Sequence, residues 1–233
     1  DTDAPPLGEV GARGLRLAIR TVNPAPWPAP AKLNLFLHVL GRRPDGYHEI
    51  QTLFQLIDLE DSLEILARKD GAIVRPEGPR EVPEDDDLCV RAARRLQAEG
   101  PVRQGAEIRV AKRIPIQGGL GGGSSDAATT LVALNEIWGL RLPVERLAAL
   151  GRELGADVPL FVHGHSAWAE GVGEALTPVD LPERHFAIVW PGLGVPSAEV
   201  FHAPELTRNS AKTTIRGFVK AGRRNDCEAV VAA

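Results

Sequence analysis

The segment that most restricts this chain is Pro115-Ile116-Gln117-Gly118-Gly119-Leu120-Gly121-Gly122-Gly123-Ser124-Ser125-Asp126-Ala127-Ala128. Five of the six residues from 118 to 123 are glycine. Without Cβ atoms their backbone N–H groups are unshielded, and the positive φ angles that turn successive N–H groups to one side are accessible. A strand pattern, Ala106 to Lys112, precedes the loop, and an amphipathic helix pattern from about Ser125 to Trp138 follows it. Free N–H groups and the dipole at a helix N-terminus favour an anion. Ser124 and Ser125 add hydroxyls able to bond a phosphate or a hydrated Mg2+. The reading is a phosphate cradle made of Pro115, Gly118, Gly119, Leu120, Gly121, Gly122, Gly123, Ser124 and Ser125. The Walker A loop is excluded, because Gly-Lys-Ser/Thr occurs nowhere in the chain. The dinucleotide fingerprint is excluded because Ser124 stands where its last glycine belongs. A flexible linker or a tight strand-to-helix turn is the competing reading.

Length and composition narrow the class. A chain of 233 residues is one large domain or two small ones, and it buries a core without staples. The net charge of −4 argues against nucleic acid or an anionic membrane as the main partner. No apolar run approaches the roughly 18 residues that span a bilayer. Two cysteines, Cys89 and Cys227, cannot build a disulfide framework, and no signal-peptide pattern opens the chain, so a cytoplasmic protein is expected. The absence of Met suggests a trimmed or partial sequence.

Residues 1–27 read as a Pro-rich tail, with Asn23 to Pro30 extended. From Ala31, Leu33, Leu35, Leu37 and Val39 recur with a period of two and predict a strand. Pro44-Asp45-Gly46 predicts a turn. Ile50 to Leu59 and Ser62 to Ala67 read as two strands around a turn at Glu60-Asp61. Leu88, Ala92 and Leu96 mark a helix capped by Asp85-Asp86-Asp87 and closed by Gly100. A further helix is expected from Pro143 to about Leu154, a hairpin over Ser166 to Pro178 and a short strand from His185 to Trp190. The mixture of strand runs and helices favours α+β over a doubly wound sheet.

The glycine segment resembles the phosphate loop of the GHMP kinases (galactokinase, homoserine, mevalonate and phosphomevalonate kinases). Three further segments narrow the resemblance: Ala29-Pro30-Ala31-Lys32-Leu33-Asn34-Leu35, Arg43-Pro44-Asp45-Gly46-Tyr47-His48-Glu49 and Gly155-Ala156-Asp157-Val158-Pro159. Together they are similar to the branch that phosphorylates a cytidine-diphospho sugar alcohol in the non-mevalonate route to isoprenoids. The resemblance runs from about Pro28 to the C-terminus. It implies a two-lobed fold, with an ATP-binding domain over 28–165 and a smaller C-terminal domain over 166–233. It implies transfer from ATP, with Mg2+ bridging its phosphates, to the 2-hydroxyl of that small-molecule substrate, and a monomer or weak homodimer. The family carries a second Gly-rich segment beyond the position of Ala233, so the end of the second lobe is expected to be missing.

The same resemblance assigns residues. Asp157 accepts the proton of the substrate hydroxyl, which a carboxylate beside the attacking oxygen can do. Residue chemistry alone leaves a helix N-cap as an equal alternative. Lys32 and Asn34 share one side of the first strand by its period of two. The resemblance places Lys32 against Asp157 and the transferring phosphate, and makes Asn34 a substrate contact. A lone Lys at a strand start is otherwise solvated. Tyr47 stacks on the cytosine, His48 bonds its edge, Phe201 covers the opposite face and Ser197 is a polar contact. Asp87 reads as a cap, at a position where the family often has an Asn beside the nucleotide base. His163 and His165 read as a surface turn rather than a metal pair, and Cys89 as core. Another GHMP kinase with a non-nucleotide substrate, and a catalytically silent nucleotide- or RNA-binding module, are the alternative functions.

Overall fold

The strand pattern that opens at Ala31 belongs to a longer strand, β1, Trp27–Arg42, which pairs antiparallel with β2, His48–Arg68. The computed structural model describes residues 26–221 and 224–232, and residues 1–25 of the expected tail lie outside them. Trp27 to Pro30, expected to be an unpaired extended segment, forms the first four residues of β1. Pro28 and Pro30 are tolerated there because β1 lies at the sheet edge, where a missing N–H costs no ladder bond. At the tip of the hairpin the Pro-Asp-Gly turn forms as expected: Gly46 adopts φ +88°, and Asp45 accepts from the Tyr47 N–H at 3.1 Å.

The expected turn at Glu60-Asp61 does not form. β2 runs through it for 21 residues. Asp61 is completely buried, and its carboxylate accepts the backbone N–H groups of Arg113 and Ile114 at 2.5 and 2.9 Å. The side chain that would have stabilised a local turn is committed to a distant segment instead. A register shift beside it, between the pairs Pro30–Glu60 and Ala31–Ile57, leaves Asp58 and Leu59 of β2 as a bulge.

β3, Ile73–Glu77, runs parallel to β4, Gly105–Ala111, and β4 pairs antiparallel with the C-terminal part of β2. The expected hairpin over 166–178 is present as β5, Ala167–Glu170, and β6, Ala175–Pro178. β5 pairs with Thr52 to Phe54 of β2, so residues assigned to the start of a second lobe extend the same sheet. No ladder is described for His185 to Trp190, where a strand was expected. Val189 is 89% exposed there, and the apolar run has no neighbour to pair with among the described residues.

Four helices cover one face of the sheet: α1, Leu88–Gln97; α2, Gly122–Ile137; α3, Val144–Leu154; and α4, Val158–His163. Asp87 caps α1 by accepting the N–H groups of Cys89 and Val90. Leu63, Ile65, Ile108 and Val110 from the sheet pack with Leu96, Leu131, Leu134, Leu150 and Val158 from the helices. α2 begins at Gly122, three residues before the expected start. It is apolar around much of its circumference because it is wedged between the sheet and the other three helices. Three short helices follow: α5, Ser197–His202; α6, Ile215–Ala221; and α7, Glu228–Val231. This layered, mostly antiparallel arrangement is α+β.

Candidate active site

The glycine segment lies between β4 and α2. Gly119 and Gly121 both adopt φ +74°, which L side chains rarely do. Gly121 is also a point of close approach. A Cβ there would lie 2.8 Å from the Phe161 ring and 3.2 Å from Lys32 Cγ. The Lys32 N–H donates to the Leu120 carbonyl at 2.9 Å, fixing β1 to the loop. The loop therefore rests directly on Lys32.

Lys32 is buried, contrary to what a lone strand-start lysine would do. Its Nζ donates to Asn34 Oδ1 at 2.6 Å and lies 3.4 Å from Asp157 Oδ2. It also sits 5.3 Å above the Phe54 ring. Asn34 Nδ2 donates to Thr52 Oγ1 at 2.9 Å, and Thr52 donates to the Phe36 carbonyl. That chain of donors fixes which way the Asn34 amide points. Asp157 occupies the N-cap position of α4, but its side chain makes no capping hydrogen bond. The carboxylate is one-third exposed and faces Lys32. The structure thus brings Lys32, Asn34, Asp157 and the glycine loop to one place.

The two serines differ. Ser124 is half-buried. Ser125 is completely buried in the first turn of α2, and its hydroxyl has no partner among the described residues, so it does not present itself to an incoming phosphate as expected. Beneath the same turn lies a cluster that the sequence reading missed. Lys112 Nζ bridges Asp61 and Asp126, at 2.5 and 2.6 Å. Burial pushes the Asp126 carboxyl up to about 7, Lys112 opposes that shift, and Asp61 adds to it. The signal was present in β2: Asp61 shares its period-two face with Leu63 and Ile65, both buried.

The base-recognition residues are arranged differently from expectation. Tyr47 is 65% exposed at the hairpin tip. His48 is buried, and its ring stacks on Phe201 with centroids 5.5 Å apart and planes 28° from parallel. One face of Phe201 is therefore taken by His48 and is not open to a base. His48 Nε2 is also occupied, since it accepts from Arg208 Nε at 3.1 Å. Ser197 is exposed at the start of α5. The segment before it is tied to the glycine loop by a bond from the Val195 N–H to the Gln117 carbonyl at 3.2 Å.

His163 and His165 lie close together, with ring centroids 5.8 Å apart. No group of three metal-ligating side chains occurs among the described residues. Asp87 caps α1 and lies 3.2 Å from Arg75. Cys89 is buried, as expected of a core residue. No helix among the described residues is long and apolar enough to cross a membrane.

Residues 87–165 match the family model described as the GHMP kinases N terminal domain. Over 208 residues the chain is 59% identical to the 4-diphosphocytidyl-2-C-methyl-D-erythritol kinase of Alkalilimnicola ehrlichii, covering 89% of this chain and 71% of that protein. It is 56% identical, again over 208 residues, to the protein of the same name from Ralstonia nicotianae, with 87% and 72% covered. A crystal structure of 4-(cytidine 5'-diphospho)-2C-methyl-D-erythritol kinase superposes with a TM-score of 0.73 at 36% identity, over 88% of this chain and 76% of that one. A homoserine kinase from Cytophaga hutchinsonii shares the fold, with a TM-score of 0.58 at 17% identity over 84% and 64% of the two chains.

Proposed function

This chain belongs to the 4-diphosphocytidyl-2-C-methyl-D-erythritol kinase family of the GHMP kinases, and from that premise we propose that it transfers the γ-phosphoryl group of ATP to the 2-hydroxyl of 4-diphosphocytidyl-2-C-methyl-D-erythritol. The observation that carries the reading is the convergence of Lys32 and Asp157, 3.4 Å apart, against a loop whose Gly121 rests on the Lys32 stem.

The loop suits a nucleotide triphosphate. A Cβ at Gly121 or Gly122 would meet protein atoms within 3.0 Å, whereas Gly119 faces open space, so the outward surface of the loop is backbone. The N-terminus of α2 adds its free N–H groups. A bound nucleoside triphosphate would supply the phosphoryl group, and a magnesium ion bound with it would offset the phosphate charge. Ser124, half-buried in the first turn of α2, would offer its hydroxyl to that hydrated cation.

Asp157 orients the acceptor hydroxyl and takes its proton as the bond to phosphorus forms. The Lys32 ammonium, held by Asn34, stabilises the equatorial phosphoryl oxygens in the transition state. Because ammonium and carboxylate are prepositioned, little reorganisation is needed at the moment of transfer. Tyr47 stacks on the cytosine, His48 meets its edge and Phe201 seats the His48 ring. Ser197 is a polar substrate contact.

The reading is tested by incubating the protein with ATP and, separately, 4-diphosphocytidyl-2-C-methyl-D-erythritol, mevalonate, homoserine or galactose, and identifying the phosphorylated product by 31P NMR. Transfer to the first alone is expected. Transfer only to one of the other three overturns it.

A further inference from the structure

We propose that Arg208 is a positioning residue for base recognition: it holds His48 as the tautomer protonated on Nδ1, so that the ring offers a donor to the substrate base. The proposal rests on the reading that His48 meets that base.

A guanidinium has N–H groups and no acceptor, and it stays charged at every accessible pH. Arg208 Nε lies 3.1 Å from His48 Nε2. The hydrogen between them belongs to arginine, so Nε2 contributes its lone pair. The single proton of the neutral imidazole is then on Nδ1. No protein partner for Nδ1 occurs among the described residues.

The arginine cannot turn away. Its Nη1 donates to the Leu206 carbonyl at 3.1 Å, and its Nη2 to the carbonyls of Phe201 and Ala203 at 3.0 and 2.6 Å. Those carbonyls belong to the end of α5 and the turn after it, where helix carbonyls lack partners within the helix. Leu206 is buried against Leu37, Val39 and Ile50, which anchors the turn to the β1–β2 hairpin. Phe201 sets the plane of the imidazole by stacking on it. Ring plane and tautomer are thus fixed by one short segment, 201–208. Burial and the Arg208 charge, with smaller contributions from Arg42 and His202, keep the imidazole neutral by holding its pKa below the usual value.

The tautomer matters because pyrimidines differ at this edge. Both bases present O2 as an acceptor, but N3 is an acceptor in cytosine and carries a hydrogen in uracil. An Nδ1–H held against N3 pairs with cytosine and faces a donor on uracil. A site built to bond one partner rejects the other through the groups left unpaired. Arg208, acting through His48, would thereby choose between them.

The direct test is a long-range 1H–15N spectrum of the uniformly labelled protein, with the His48 ring assigned by its loss in His48→Gln. An unprotonated Nε2 and a protonated Nδ1 are expected at neutral pH. A proton on Nε2, or an imidazolium, overturns the proposal. The kinetic test uses Arg208→Met, which keeps the stem and removes the donors. KM for the cytidine substrate should rise about tenfold, the worth of one well-placed hydrogen bond. The preference over the uridine analogue should fall by the same factor, while kcat and KM for ATP stay within about twofold. Unchanged discrimination, or a joint loss of all parameters, marks Arg208 as a structural clip and overturns the proposal. If the wild-type protein fails to phosphorylate the cytidine substrate, the functional reading falls, while the ring-nitrogen spectrum still decides the tautomer.

Discussion

Lys32 and Asp157 meet at 3.4 Å although one sits near the start of β1 and the other before the first turn of α4. Neither side chain is committed to the structural task its position suggests. The lysine is buried instead of solvated, and the aspartate leaves the helix uncapped. Both are held for each other and for whatever lies on the glycine loop above them. That arrangement costs stability locally, which is expected where a group is placed for chemistry.

Asp157→Asn tests the aspartate with little change of shape. The amide still accepts a hydrogen bond from Lys32, so the buried ammonium keeps a partner and the melting temperature should stay within a few degrees. Loss of the proton acceptor should lower kcat by about 10²–10⁴-fold, with KM for ATP little changed. A kcat within a few-fold of wild type would show that Asp157 does not take the proton.

Two alanine substitutions separate backbone strain from steric contact in the loop. Gly119 and Gly121 share φ +74°, so each substitution carries the left-handed penalty of about 1–2 kcal/mol. Only at Gly121 does the new methyl also meet the Phe161 ring and the Lys32 stem. Gly121→Ala should therefore lower the urea midpoint further than Gly119→Ala, and it alone should displace Lys32 and depress kcat. Equal effects on kcat would mean that the loop does not seat the lysine.

The Asp126 carboxyl gives a pH dependence with a definite sign. Its folded-state pKa, about 7, lies above its ordinary value, chiefly because burial disfavours the charge. The native state therefore holds this proton more tightly than the unfolded chain. The associated stability is present below about pH 4 and is lost as pH rises through 7. Asp126→Asn keeps the shape, removes the titration and leaves Lys112 paired with Asp61. Urea midpoints measured from pH 5 to 8 should fall for wild type relative to the variant. Parallel profiles for the two proteins would refute the assignment.

Much of this site could be read from local pattern. The period-two run put Lys32 and Asn34 on one side of a strand, and they are hydrogen-bonded there. The glycines at 119 and 121 occupy left-handed positions that the loop reading required of them. What failed was long-range. Asp61 looked like a turn-former because its partners, the N–H groups of Arg113 and Ile114, are some fifty residues away. His185 to Trp190 looked like a strand because an apolar run carries no information about whether a neighbour exists to pair with it. The His48–Phe201 stack was missed for the same reason. Each aromatic residue was legible alone, and only the fold shows that they spend a face on each other.

Tyr47 separates base recognition from chemistry most cleanly. It is 65% exposed at the tip of the β1–β2 hairpin, so Tyr47→Ala removes no core contact and should leave the melting temperature unchanged. A base stacked on an aromatic ring gains about 1–3 kcal/mol, so KM for the cytidine substrate should rise about 5- to 150-fold. At saturating substrate kcat should be close to wild type, because on the proposed reading the hydroxyl would still meet Asp157 once the substrate is bound. On the proposed reading KM for ATP should not move, since the glycine loop assigned to its phosphates is separate from the hairpin tip. Tyr47→Phe keeps the ring and should restore most of the affinity, which distinguishes stacking from a hydrogen bond by the phenol. If Tyr47→Ala binds the cytidine substrate as tightly as wild type, the base lies elsewhere, and the roles of His48, Phe201 and Arg208 in recognising it fall with that result.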